Sequence, residues 1–195
     1  MNSATAFNHW RHEFDEHALG SQQTFRSILD AMANPGQLIT IRETPHAPEV
    51  FNSASAATCL TLLNNETPVW TDVDWQSPAI SWLQFGCGCS VVTEPCMANF
   101  AIVTRPDVMP ALNYFRVGRY EQPEKATTLL VQVNDILPIA ANSSDKGAHL
   151  ELKGVPETFW HQWQQLSSLH PLGIDIFFTC DDVLTSLPRS NRTLN

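Results

Sequence analysis

Residues 157–187 decide the fold class, and their sequence is ETFWHQWQQLSSLHPLGIDIFFTCDDVLTSL. Apolar side chains recur every three or four residues over 157–169, which predicts a helix that His170-Pro171 ends. The runs 174–179 and 183–187 are rich in β-forming residues, and a short turn at Asp181-Asp182 separates them. This stretch therefore predicts a helix followed by a β-hairpin.

Helical and strand patterns alternate through the rest of the chain. The predicted helices cover 22–33, 52–63, 77–86 and 107–114. The predicted strands cover 38–41, 67–70, 89–92, 100–103, 127–133 and 149–153. This order predicts an α/β protein with a mixed sheet flanked by helices. We assign 22–190 to a single domain, 1–21 to an N-terminal arm with an apolar stripe at Phe7, Trp10 and Phe14, and 191–195 to a flexible tail.

The first predicted helix carries Phe25, Ile28, Leu29 and Met32 at the helical spacing i, i+3, i+4, i+7, with Arg26 and Asp30 as an i, i+4 pair on another face. Asn34-Pro35-Gly36 follows it, where Pro35 disfavours helical backbone at Asn34 and Gly36 permits a turn.

Composition excludes several classes of function. The 195 residues include 11 Lys+Arg and 20 Asp+Glu, a formal charge of −9, and no basic stripe of the kind that binds nucleic acid. The longest apolar run covers 136–141 and contains Pro138, whereas a membrane-spanning helix needs about 20 residues. The polar N-terminus does not resemble a signal peptide. Five cysteines without framework spacing predict reduced thiols. We therefore expect a soluble cytoplasmic protein.

Motifs that would identify a catalytic centre are missing from the sequence. Neither a dinucleotide-binding glycine pattern, a P-loop nor a G-x-S-x-G elbow occurs. Cys87 and Cys89 are predicted to be structural thiols, with a metal or redox role as the alternative, because a closed zinc site needs four ligands. The histidines and glutamates of 9–17 have metal-ligand spacing, but they are also the polar face opposite the aromatic stripe. We expect no metal and assign no catalytic residue.

Four residues are candidates for facing a ligand or a partner. Asp175 interrupts an apolar strand, and an unpaired carboxylate there would be costly. Either it is paired, for instance with Arg189, or it faces a crevice or a partner. Arg26 and Arg189 are candidate anion contacts because the chain has few cations, although an ion pair is the alternative for each. Asn34 completes the set.

The lysines bear on one cofactor. Pyridoxal phosphate (PLP) enzymes form a Schiff base with a lysine. This chain has only Lys125, Lys146 and Lys153, and none lies in a pattern typical of an internal catalytic lysine. We expect no PLP and no other cofactor.

Four segments resemble the PhnH family of phosphonate-metabolism proteins. Residues 24–36, TFRSILDAMANPG, are similar to its opening signature F-R-x-[IL]-[LM]-x-A-M-[AS]-x-P-G. Three further matches follow in order: LTLL at 60–63 with ETPVW at 66–70, PLGID at 171–175, and SLPRS at 186–190.

The resemblance implies a subunit of the bacterial carbon–phosphorus lyase core complex, which works with the G, I and J subunits. The associated reaction exchanges the adenine of ATP for an alkylphosphonate, giving ribose 1-alkylphosphonate 5-triphosphate. It also implies a three-layer fold similar to PLP-dependent transferases but without PLP, and a homodimer when the subunit is isolated.

Two functions remain open from the sequence. The first is a noncatalytic subunit that scaffolds the synthase assembly. The alternative is a stand-alone enzyme or binding protein that holds a small anionic ligand with Asp175, Arg26 and Arg189.

Overall fold

Successive apolar side chains of the central strands point to opposite faces of one sheet, and helices cover both faces. The computed structural model describes residues 18–139 and 149–190. Its helices are α1 (Ala18–Ala33), α2 (Ser53–Leu62), α3 (Pro78–Ser81) and α4 (Glu157–Ser167). Its strands are β1 (Ile39–Thr40), β2 (Pro68–Thr71), β3 (Ser90–Val91), β4 (Phe100–Val103), β5 (Thr128–Gln132), β6 (Asp135–Ile139), β7 (His149–Lys153), β8 (Asp175–Cys180) and β9 (Val183–Leu187).

Seven strands form one mixed sheet in the order β1-β9-β8-β5-β4-β2-β3. The strands β8, β5, β4, β2 and β3 are mutually parallel, whereas β9 and β1 are antiparallel to their neighbours. The β6–β7 hairpin is a separate antiparallel pair. The prediction of an α/β protein with a mixed sheet is therefore confirmed, and so is the β8–β9 hairpin around Asp181-Asp182.

Each face of the sheet carries its own core. Phe100, Ile102, Leu130 and Phe177 point to the face that α1, α2 and α3 cover. Their neighbours in the same strands point to the opposite face, where α4 packs through Phe159, Trp163 and Leu166. Because side chains alternate across a strand, the strands that are buried on both faces appear as continuous apolar runs.

Helix α1 differs from its predicted form in two respects. It already includes Ala18, the first described residue, rather than starting near Gln22, so the prediction placed its start too late. Ile28 and Ala31 are buried in the core, but Phe25 is 45% exposed and Leu29 is 51% exposed. The apolar face that the spacing predicted is therefore only partly buried. An apolar period of 3.6 residues fixes the faces of a helix, but it does not say which apolar side chains meet the core.

Two other predictions need correction. Residues 107–114 do not form a helix: they lie in two separate 3-10 turns, Pro106–Val108 and Leu112–Tyr114. Pro110 separates these turns, and proline cannot donate the backbone hydrogen bond that a continuous helix needs. Strand β6 was not predicted, because Pro138 interrupts its apolar run and proline normally disfavours a strand.

Helix α3 begins as predicted, with Ser77 as its N-cap. Ser77 caps α3 by accepting a hydrogen bond from the Ala79 backbone N at 3.2 Å, and Pro78 occupies the first helical position. The chain then continues as a π-turn over Trp82–Gly86, which buries Trp82 and Leu83. Within the described residues, no helix combines the length and apolar character that crossing a bilayer requires.

The two flanks of α1 provide a matched test. Ile28→Ala removes a buried side chain and should lower the free energy of unfolding by about 2–4 kcal/mol. Leu29→Ala, one residue further along the same helix, should change it by less than about 0.5 kcal/mol. Urea unfolding of both variants measures the difference. A loss at Leu29 as large as that at Ile28 would show that the outer face of α1 is covered within the folded chain.

Candidate functional site

The carboxyl ends of the parallel strands meet along one edge of the sheet, which we call the carboxyl edge. Asp72 follows β2, Thr104 follows β4, Gln132 ends β5, and Thr179 is the penultimate residue of β8. In open α/β sheets, ligands bind in the crevice outside this edge. The carboxyl edge is therefore the first place to look for a functional site.

Helix α2 begins at this edge, and its first residues are bonded to two strands. The Asn52 side chain caps the helix by accepting a hydrogen bond from the Ser55 backbone N at 2.8 Å. Its amide nitrogen donates to Thr179 Oγ1 at 3.3 Å, and the Ser55 hydroxyl lies 2.7 Å from the same atom. The Asn52 backbone N donates to Gln132 Oε1 at 2.7 Å. We call Asn52, Ser55, Gln132 and Thr179 the edge clamp.

The turn between β8 and β9 completes the attachment of α2. Asp181 has a φ of 50°, a left-handed conformation that directs its carbonyl toward the helix. That carbonyl accepts hydrogen bonds from the Ala54 backbone N at 2.9 Å and from the Ser53 hydroxyl at 3.0 Å. A free helix N-terminus can bind an anion through its backbone N–H groups. Here the N–H groups of Ala54 and Ser55 already bind protein acceptors.

Asp72 bridges β2 and β4. Its carboxylate accepts hydrogen bonds from the Thr104 backbone N at 2.9 and 3.1 Å, from the Thr104 hydroxyl at 2.9 Å, and from the Arg105 backbone N at 2.8 Å. This arrangement satisfies the carboxylate and ties together two adjacent strand ends. We therefore assign Asp72 a structural role at the ends of β2 and β4.

A groove of about 420 Å³ lies beside the edge clamp. Glu49, Asn134, Cys180 and Asp181 line it, and no lysine or arginine is among its lining residues. Burial, followed by the charges of Asp181, Asp135 and Asp182, raises the pKa of the Cys180 thiol. The local field is therefore negative, and the groove is poorly suited to a phosphate or a phosphonate.

Asp175 and Arg189 form a half-buried ion pair. Arg189 donates to Asp175 Oδ2 from Nε at 3.0 Å and from Nη2 at 2.6 Å, and its backbone N donates to Oδ1 at 2.9 Å. Its Nη1 donates to the Pro123 carbonyl at 2.6 Å. The paired alternative for Asp175 is thereby confirmed. A ligand-facing role for either residue stays a prediction.

Asn34 and Arg26 lie at other places in the fold. The Asn34 side chain donates to the Asp30 carbonyl at 3.0 Å and so caps the C-terminus of α1. The buried Ser186 hydroxyl donates to the neighbouring Ala31 carbonyl at 2.7 Å. Arg26 lines a separate groove together with Arg42. The structure therefore does not bring Arg26 together with Arg189, as the alternative of one anion site requires.

The burial of Cys87 and Cys89 agrees with the prediction that they are structural thiols. Cys59, Cys87 and Cys89 are buried, and burial is the first cause that raises the pKa of each. The pKa of Cys89 rises to about 11, so this thiol is protonated at neutral pH. Nucleophilic and metal-binding cysteines need the thiolate. Over 18–139 and 149–190, no group of three or more His, Cys, Asp or Glu side chains could hold a metal ion. The histidine-rich segment 9–17 lies outside the described residues.

Sequence reasoning missed the edge clamp and Arg42. Gln132 bonds to a residue that lies 80 positions away, and Asn52 reaches Thr179 across 127 positions. One signal was available, because Thr179 is a polar residue at the end of an apolar strand. Such a residue needs a hydrogen-bond partner when it is buried.

Comparison with known proteins gives two matches. A family model described as bacterial phosphonate metabolism protein (PhnH) matches residues 12–193. A protein of Rhizobium meliloti (strain 1021) is 29% identical over 190 residues, which cover 92% of each chain. That protein is named alpha-D-ribose 1-methylphosphonate 5-triphosphate synthase subunit PhnH.

The Asp175–Arg189 pair can be tested by removing its cation. Arg189→Ala leaves a half-buried carboxylate without its guanidinium partner and should lower the free energy of unfolding by about 2–4 kcal/mol. Arg119→Ala, at an exposed arginine without an ion pair among the described residues, should change it by less than about 0.5 kcal/mol. Equal, small effects in denaturant unfolding would contradict the structural role of the pair.

Proposed function

The chain belongs to the PhnH family of bacterial phosphonate metabolism proteins, and from this membership we propose that it is a noncatalytic subunit of a synthase complex. The product would be alpha-D-ribose 1-methylphosphonate 5-triphosphate, formed from ATP and methylphosphonate in the carbon–phosphorus lyase pathway. The named relative carries this proposal, because its similarity extends over 92% of both chains rather than over one motif.

The geometry of the carboxyl edge supports a noncatalytic role. An active site presents polar groups that are free to act on a substrate. At this edge, Asp72, Gln132 and Asn52 all direct their side-chain atoms to protein partners. These side chains hold the fold together, so the catalytic groups of the synthase would come from other subunits.

The exposed apolar surface of α1 supports the proposal that the chain contacts other subunits. Phe25 and Leu29 are four residues apart, so they are neighbours on the helix surface, and each is about half exposed. Adjacent exposed apolar side chains are typical of surfaces that meet another protein. As partners we propose the G, I and J subunits of the carbon–phosphorus lyase core complex in the cytoplasm, and a homodimer when the chain is isolated.

The proposal includes a fold similar to PLP-dependent transferases, without PLP. The positions of two lysines support the absence of the cofactor. Lys125 is exposed in a turn, and Lys153 is half exposed at the end of β7, where it lies 3.6 Å from Asp135. Neither occupies a buried site where a Schiff base would be protected. Lys146 lies outside the described residues.

Deletion of the gene tests the proposed function. An organism that uses methylphosphonate as its sole phosphorus source should stop growing, and growth should return on inorganic phosphate. Normal growth on methylphosphonate after deletion would contradict a role in the pathway.

Complementation of the same strain tests the noncatalytic assignment. Glu49→Gln and Asp181→Asn alter two carboxylates beside the edge clamp that form no ion pair with a described residue, and both variants should restore growth because the proposal gives neither group a part in chemistry. A variant that keeps its fold and its place in the complex but abolishes synthase turnover would identify a catalytic residue and overturn the assignment.

A further inference from the structure

A second groove lies between α1 and the edge strand β1, close to the β8–β9 turn, where the Ile41 backbone N donates to the Asp182 carbonyl at 2.7 Å. Its volume is about 290 Å³. The residues that line it are Gln23, Thr24, Arg26, Ser27, Thr40, Arg42 and Glu43. We call it the arginine groove. Its walls come from two elements, because Gln23 to Ser27 belong to α1 and the others belong to β1 or follow it.

Two arginines line the arginine groove, and neither has an ion-pair partner among the described residues. Arg26 and Arg42 form neither an ion pair nor a side-chain hydrogen bond with any described residue. The chain carries 11 Lys+Arg against 20 Asp+Glu, so an intramolecular carboxylate partner would be easy to provide. Both arginines are exposed, and two cations without a described ion-pair partner on one concavity favour an anion there.

Neutral hydrogen-bond donors accompany the arginines. Thr24 is only 4% exposed, lines the groove, and has no side-chain hydrogen bond to another described residue. This contrasts with Thr58 and Thr61 in α2, whose hydroxyls donate to the carbonyls four residues earlier at 2.7 Å. Ser27 and Thr40 add further hydroxyls to the same wall.

One carboxylate, that of Glu43, also reaches the groove. It packs against the backbone of Gly20 so closely that a Cβ atom at Gly20 would collide with it. It forms no ion pair with Arg26 or Arg42 within the described part of the chain. The lining residues therefore keep a net positive charge, in contrast to the negative groove beside the edge clamp.

We infer that the arginine groove binds a single phosphate- or phosphonate-type oxyanion. Guanidinium forks match the oxygens of such groups with two parallel hydrogen bonds each, and the hydroxyls of Thr24, Ser27 and Thr40 supply the remaining donors. Arg26 and Arg42 together with Glu43 leave one net positive charge, which attracts one anion, and a volume near 290 Å³ is at the small end of ligand sites. The inference concerns the isolated chain and does not depend on the proposed synthase.

Titration of the isolated full-length protein with inorganic phosphate tests the inference. Binding followed by NMR shifts at constant ionic strength should saturate, with the largest shifts in the backbone amides of Arg26, Ser27 and Arg42. Methylphosphonate should bind at the same residues, because a methyl group replaces only one of the four oxygens. Arg26→Ala and Arg42→Ala should each weaken binding about tenfold, the effect of losing a charge-assisted hydrogen bond.

Two further variants separate a built site from general charge attraction. Arg119→Ala removes an exposed arginine elsewhere and should leave the phosphate affinity unchanged. Glu43→Gln removes the one carboxylate among the described residues that line the groove and should tighten binding. A linear response without saturation, or an equal loss in the Arg26, Arg42 and Arg119 variants, would overturn the site. Failure of this test leaves the growth phenotype of the gene deletion unaffected.

Discussion

The attachment of α2 to the ends of β5 and β8 is the constraint on which the rest of the fold depends. Asn52 caps the helix, and its backbone N binds the side chain of Gln132 at 2.7 Å. The amide of Gln132 in turn binds the Val50 carbonyl at 2.8 Å, which fixes the loop that leads into the helix. Thr179 and the Asp181 carbonyl hold the same helix start from the neighbouring hairpin. One polar cluster thereby sets the position of α2 above the first core.

This constraint decides where function can lie. In an α/β enzyme, the helix N-terminus and the strand ends supply free donors to a ligand. Here the same groups bind each other, and the groove beside them is negative. Among the described residues, α1 instead presents Arg26, which has no ion pair there, on one flank and the exposed Phe25 and Leu29 on another. A chain built in this way is suited to binding a partner or an oxyanion rather than to catalysis at the sheet edge.

The sequence predicted those features that depend on nearby residues. The β8–β9 hairpin follows from local β propensity and a two-aspartate turn, and the start of α3 follows from Ser77 and Pro78. The orientation of Leu29 was not predictable in this way, because burial depends on what packs against the helix. The edge clamp and the place of Arg26 and Arg42 in one groove were also hidden. Both join residues that are distant in the chain, and their side chains have no special local pattern.

Amide hydrogen exchange tests the central claim most directly. The backbone amides of Asn52, Ala54 and Ser55 lie at a helix N-terminus, where amides without partners exchange quickly. Since all three bind protein acceptors in the edge clamp and the adjoining turn, they should exchange as slowly as Leu130 at the centre of the sheet. Rapid exchange of these amides in the free protein, with protection only on adding a ligand, would instead identify the carboxyl edge as an open binding site.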